Sequence, residues 1–155
     1  MNATQVNFLK NKLIPLLGSI PSEKQPAWGN LTLQQMIEHL TDVQRVASGK
    51  ISNQILAVPE EKIPSLQKFL MSDKPFPQGV VNPIFPKDPQ PTRNINIKEA
   101  LNELHTELEF YFSLIESEQE LSILHPYFGH INKEMNLQAM YKHALHHLNQ
   151  FGVLS

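Results

Sequence analysis

The chain has 155 residues, a formal charge of −2, seven histidines, twelve prolines and no cysteine. A chain of this length forms one domain with its own core, burying about 68–70% of its unfolded surface. The missing thiols exclude disulfides, thiolate metal sites, iron–sulfur clusters and cysteine nucleophiles, and the mixed Lys, Arg, Asp and Glu leave no basic stripe for nucleic acid.

The opening Met1-Asn2-Ala3-Thr4-Gln5 lacks the charged-then-apolar layout of a signal peptide. No run reaches the roughly 18 apolar residues of a membrane span, so a cytoplasmic protein without a membrane partner is expected. Helical periodicity begins at Thr4 and runs to Leu17, with Val6, Leu9, Leu13, Leu16 and Leu17 on one face. Pro15 should kink or end this helix. Thr32 followed by Gln35 is a capping box, and Leu33, Met36, Leu40, Val43 and Ala47 recur behind it until Gly49 offers a stop.

The next 46 residues, Lys50 to Ile95, hold eight of the twelve prolines, and only Ile63 to Met71 has helical character. So long a connection either crosses the bundle or lids a site, and a crossing would leave the flanking helices parallel. Asn96 and Glu99 open a third helix carrying Ile97, Leu101, Leu104, Leu108, Phe112 and Ile115, and the acidic Glu116, Glu118 and Glu120 read as its solvated end. The last helix starts near Asn132, shows Leu137, Met140, Ala144, Leu148 and Phe151, and meets Gly152 just past its end. No strand pattern is convincing, Gly79-Val80-Val81 being too short. The expected fold is all-α: residues 1–155 as one four-helix bundle, with a long proline-rich crossover between helices two and three.

The histidines are the chemical signal. Residues four apart on a helix lie about 40° apart, so His143 and His147 line one edge of the last helix's buried face, with Asn136, Met140 and Gln150, while His146 points further toward solvent. His39 borders the core of the second helix in the same way. Three neutral imidazoles with an open side suit zinc, nickel or iron, and an ion so held would activate water or a thiol. A carboxylate or carbonyl should orient each ring from its far nitrogen, Glu38 and Asp42 being the nearest candidates in sequence. Histidines that merely pack or hydrogen-bond inside a bundle would give the same pattern, so both readings stand at this point.

Three stretches carry a family resemblance: Trp28-Gly29-Asn30-Leu31-Thr32 leading into Gln35-Met36-Ile37-Glu38-His39-Leu40, then His125-Pro126-Tyr127-Phe128-Gly129, then Lys142-His143 through His146-His147 to Gln150-Phe151-Gly152. In order and across essentially the whole chain, they resemble the DinB-like (YfiT-like) superfamily of metal enzymes, and one of its uncharacterised subfamilies in particular. The resemblance implies a four-helix bundle with a long crossover, often a homodimer, and a three-histidine metal site that falls here on His39, His143 and His147. Relatives include thiol-dependent transferases and isomerases that use low-molecular-weight thiols, and some hydrolases. Where the subfamily often has a tryptophan early in the last helix, this chain has Met135-Asn136.

His125, extended ahead of Pro126, is a candidate catalytic acid or base, and Tyr127-Phe128-Gly129 a plug over the bundle end. His105 could serve as a fourth ligand or a proton shuttle, but a packed or half-exposed side chain is the favoured reading. His130 reads as surface, Trp28 as a core cap, and Arg93 as a surface charge that could meet an anionic substrate. There is no Glu-x-x-His for a di-iron site and no nucleophile elbow, P-loop or dinucleotide fingerprint. A metal-dependent enzyme with a small-molecule substrate is therefore expected, the alternative being a non-catalytic binding or dimerising helical module.

Overall fold

The computed structural model describes residues 1–154. Its first helix, α1, runs unbroken through Ala3–Asn7, a wide π-helical stretch Phe8–Lys12, and Leu13–Gly18. Asn2 caps it by accepting from the Thr4 and Gln5 amides. The wide turn lies just ahead of Pro15, whose ring crowds the carbonyl four residues back, and the helix stops three residues beyond that proline.

Helix α2, Leu33–Ala47, starts on the expected capping box: Thr32 Oγ1 accepts from the Gln35 amide at 3.2 Å and Gln35 Oε1 accepts from the Thr32 amide at 2.9 Å. A 3₁₀ turn, Glu60–Lys62, leads into the short α3, Ile63–Leu70. Asn96 caps α4, Ile97–Ser117, and Asn132 caps α5, Lys133–Gln150. Between these two lies a small antiparallel hairpin, β1 (Ile123–His125) and β2 (Gly129–Ile131), with His125 opposite Gly129. Sequence pattern missed it because three-residue strands are too short to show alternation. The described residues are otherwise helix and loop, and no helix among them is long and apolar enough to cross a membrane.

Side-chain partners give the directions of the helices. Along α1 and α4 they run in opposite order, Lys10 meeting Glu116 while Gly18 lies against Leu101. Along α2 and α4 they advance together, Glu38 meeting Asn94 just ahead of α4 and Arg45 meeting Glu103 and Glu107 within it. Along α2 and α5 they run opposed, His39 meeting His143 and Ala47 meeting Asn136. One hydrophobic core joins them, with Leu9, Leu17, Met36, Ile37, Leu104, Tyr111, Leu137 and Leu148 all fully buried.

The proline-rich segment is tied down at both ends. Near its start Asn53 Nδ2 donates to Ile55 O and Leu124 O, and Ala57 N donates to Pro126 O. Near its end the buried Glu38 carboxylate accepts from Gln34, from the Arg93 and Asn94 amides, and from the Asn94 side chain. Arg93 in turn pairs with Asp42 and Glu103, beside Arg45 on Glu103 and Glu107. Burial alone would raise the pKa of Glu38, but the amides of Asn94 and Arg93 outweigh it and hold the carboxylate below its ordinary range. Arg93 is thus a structural cation rather than a free substrate contact.

Candidate metal centre

The capping box fixes where α2 begins, which places His39 in its second turn facing α5. From α5, His143 and His147 project one turn apart. The three rings converge through their Nε2 atoms, 3.1 Å between His39 and His143 and 3.0 Å between His143 and His147. One ligand atom from each lies within 4.8 Å of the others. His39 and His147 complete the triangle with ring centroids 5.0 Å apart.

The second contact of His147 defines its tautomer. Its Nδ1 lies 2.8 Å from Gln150 Oε1, while Gln150 Nε2 donates to the Trp28 carbonyl at 2.9 Å. That donation fixes the amide's orientation, so Oε1 is an acceptor and His147 Nδ1 carries the proton. His147 Nε2 is therefore a bare lone pair aimed at the other two rings. The close approach of Trp28 depends on Gly29, whose φ of +74° suits glycine and whose missing Cβ would sit 3.0 Å from Gln150 Nε2. Glu38 and Asp42, the candidates read from sequence for this orienting role, instead bind Arg93, Asn94 and Arg45. Gln150 was legible as a residue on the histidine edge of the last helix, and its i, i+3 spacing from His147 is the signal that would have named it.

Burial keeps the rings neutral. Desolvation pushes His39 down to about 4 and His147 to about 3, and drives His143 well below its ordinary value, with neighbouring histidines adding to each shift. The set is thus three neutral nitrogen donors, which suits zinc and its first-row neighbours and disfavours calcium and magnesium. Two nitrogens bound to one such ion lie roughly 2.8–3.4 Å apart, and the observed 3.0 and 3.1 Å fall inside that range. The residues fit a metal ion.

Two aromatic residues of the proline-rich segment wall the centre. Phe85 meets the His39 ring edge-on at 5.2 Å and Phe76 meets His143 at 6.4 Å. On one side lies a small cavity of ≈ 30 Å³ bordered by His143, His125, Phe76 and Phe85. Beyond Phe76 is an open cleft of ≈ 540 Å³ lined by Trp28, Phe76, Lys74, Tyr141 and His146, which none of the three converging histidines borders. Phe76 borders both. His146 packs edge-on against Trp28, 5.6 Å away, so Trp28 lines this cleft rather than capping the core.

Lys142 is buried and donates to the carbonyls of Phe69, Leu70 and Ser72, closing the C-terminus of α3. Sequence reasoning gave it no role. Its charge and its place beside the histidines show no more than a helix surface would, and its partners lie far away in sequence.

The other histidines divide cleanly. His105 is exposed and faces Glu109 at 3.7 Å, and His130 is exposed beside Ser122, so neither joins the centre. His125 stands on the cavity wall with His143, its ring 4.5 Å from that of Phe128. No family profile, curated protein or solved structure matches the chain.

Proposed function

We propose that the protein is a cytoplasmic metal-dependent enzyme of the DinB-like kind, a four-helix bundle whose proline-rich crossover covers a divalent zinc, nickel or iron ion. His39, His143 and His147 would hold that ion, which when bound supplies Lewis acidity to activate water or a thiol for hydrolysis or transfer on a small substrate. The observation that carries this reading is the convergence of three histidines on one point, His143 Nε2 lying 3.1 Å from His39 Nε2 and 3.0 Å from His147 Nε2, the last a lone pair fixed by Gln150.

The chain's own residues divide the remaining work. Gln150 keeps His147 in its ligating tautomer, Phe76 and Phe85 exclude bulk water, and the cleft beside Trp28, Lys74 and Tyr141 receives the body of the substrate. The opposed and parallel pairings of α1, α2, α4 and α5 support the bundle with a crossover.

Elemental analysis of protein made without a histidine tag tests this directly. Close to one equivalent of metal is expected, and His39→Ala, His143→Ala and His147→Ala should each abolish stoichiometric uptake. Full uptake by the single variants sinks the assignment. Metal-free protein whose Tm ignores added zinc or nickel would support the non-catalytic module instead. Once metal is found, thiol cosubstrates screened against hydrolysable esters separate transfer from hydrolysis.

A further inference from the structure

The small cavity beside the triad is walled by one polar ring outside it whose tautomer the backbone dictates. His125 ends β1, and in the turn that follows the Tyr127 amide donates to His125 Nδ1 at 3.1 Å. A nitrogen that accepts from an N–H carries no proton itself, so the neutral ring has its proton on Nε2. Burial keeps the ring neutral, lowering its pKa to about 4. No hydrogen bond to Nε2 occurs among the described residues.

Of the other polar side chains outside the triad on this wall, Asn136 is engaged at both its oxygen and its nitrogen, and Asn82 through its oxygen. Asn136 accepts from the Tyr111 hydroxyl at 3.3 Å and donates to Ala47 O at 3.0 Å, and Asn82 Oδ1 accepts from the Ile84 amide. The cavity of ≈ 30 Å³ exceeds the roughly 10–15 Å³ needed to admit one water. It thus has room for the reacting end of a ligand, and His125 brings to its wall an uncommitted ring donor whose position the Tyr127 amide holds.

We propose that His125 presents Nε2–H as a fixed hydrogen-bond donor to one anionic oxygen, sulfur or nitrogen atom of a ligand held at the histidine centre, and so makes that cavity a small-anion site. The acid–base role expected from the sequence becomes an electrostatic one: the ring neither gives up nor takes a proton, and stabilises charge by donating. A neutral imidazole is suited to this because it donates without bringing a cation beside three metal ligands. The inference rests on the metal reading above, and the experiment is arranged so that the two fail separately.

Azide is the probe, titrated into cobalt-loaded protein and followed by visible absorption. His125→Asn places a carbonyl where Nδ1 stood, so it still accepts from the Tyr127 amide and keeps the turn, but its amide does not extend to the Nε2 position. His125→Gln reaches that position with an N–H. His125→Asn and His125→Phe should bind azide about ten- to hundred-fold more weakly, the factor carried by one hydrogen bond to a charged acceptor. His125→Gln should recover most of the loss, with cobalt stoichiometry unchanged throughout. A separate readout needs no metal: long-range ¹H–¹⁵N correlation on the apo-protein should show His125 as the Nε2–H tautomer. An Nδ1–H tautomer, or azide affinity unchanged in His125→Phe with cobalt bound, overturns this inference alone. Failure to take up cobalt overturns the metal reading and this site with it.

Discussion

Gln150→Leu separates a positioned metal ligand from a histidine that is only packed. Gln150 is 4% exposed and its amide bridges two groups, accepting from His147 Nδ1 at 2.8 Å and donating to Trp28 O at 2.9 Å. Leucine fills a similar volume and removes both bonds. The His147 proton is then free to move to Nε2, which would silence that lone pair, and loss of such an orienting partner costs about 10–100-fold in metal affinity. That factor corresponds to about 1.4–2.7 kcal/mol. Leaving a buried N–H and a buried carbonyl unpaired costs on the order of 2–4 kcal/mol of stability as well. Gln150→Glu separates the two effects, because a carboxylate still accepts from His147 but cannot donate to Trp28. Competition with a chromophoric chelator should show weakened zinc binding in Gln150→Leu and near-parental binding in Gln150→Glu, while thermal unfolding shows both destabilised. Equal loss of affinity in both variants would refute the orienting role and trace the effect to the Trp28 contact. Parental affinity in Gln150→Leu would refute it outright.

Two further outcomes follow from the loops. His125 has its folded pKa lowered from 6.5 to about 4, so between these values the unfolded chain binds the proton that the folded one refuses. Stability from this residue therefore falls as pH drops from 7 toward 4, by about 2 kcal/mol between pH 7 and 5. Denaturant titrations of apo-protein should show His125→Gln with a shallower pH dependence over that window, and an unchanged slope contradicts the burial of the ring. Glu38→Ala removes the acceptor of the Arg93 and Asn94 amides and of the Asn94 side chain, and should cost about 2–4 kcal/mol while exposing residues 85–95 to limited proteolysis. Parental protease resistance would show that Arg93 alone anchors the segment through Asp42 and Glu103.

The parts of this molecule that were readable in sequence are those in which local chemistry and long-range packing agree. Thr32 and Gln35 state the start of α2 because both halves of the capping box lie within one turn, and the 3.6-residue period then places His39, His143 and His147 at the borders of buried faces. Their convergence needed no further signal once two such faces packed. What escaped the pattern depends on partners distant in the chain. Gly129 looks like an ordinary turn glycine, yet it has a φ of +64° and a Cβ there would fall 2.9 Å from Ile63, some 66 positions away. Glu38 lies beside His39 in sequence and so reads as its orienting carboxylate, but the helix turns about 100° per residue and sends it to the crossover instead. Gln150, three residues beyond His147, is on the correct face. Proximity along a helix is therefore informative at spacings of three and four and misleading at one, and the same rule that pairs His143 with His147 identifies the residue that orients His147.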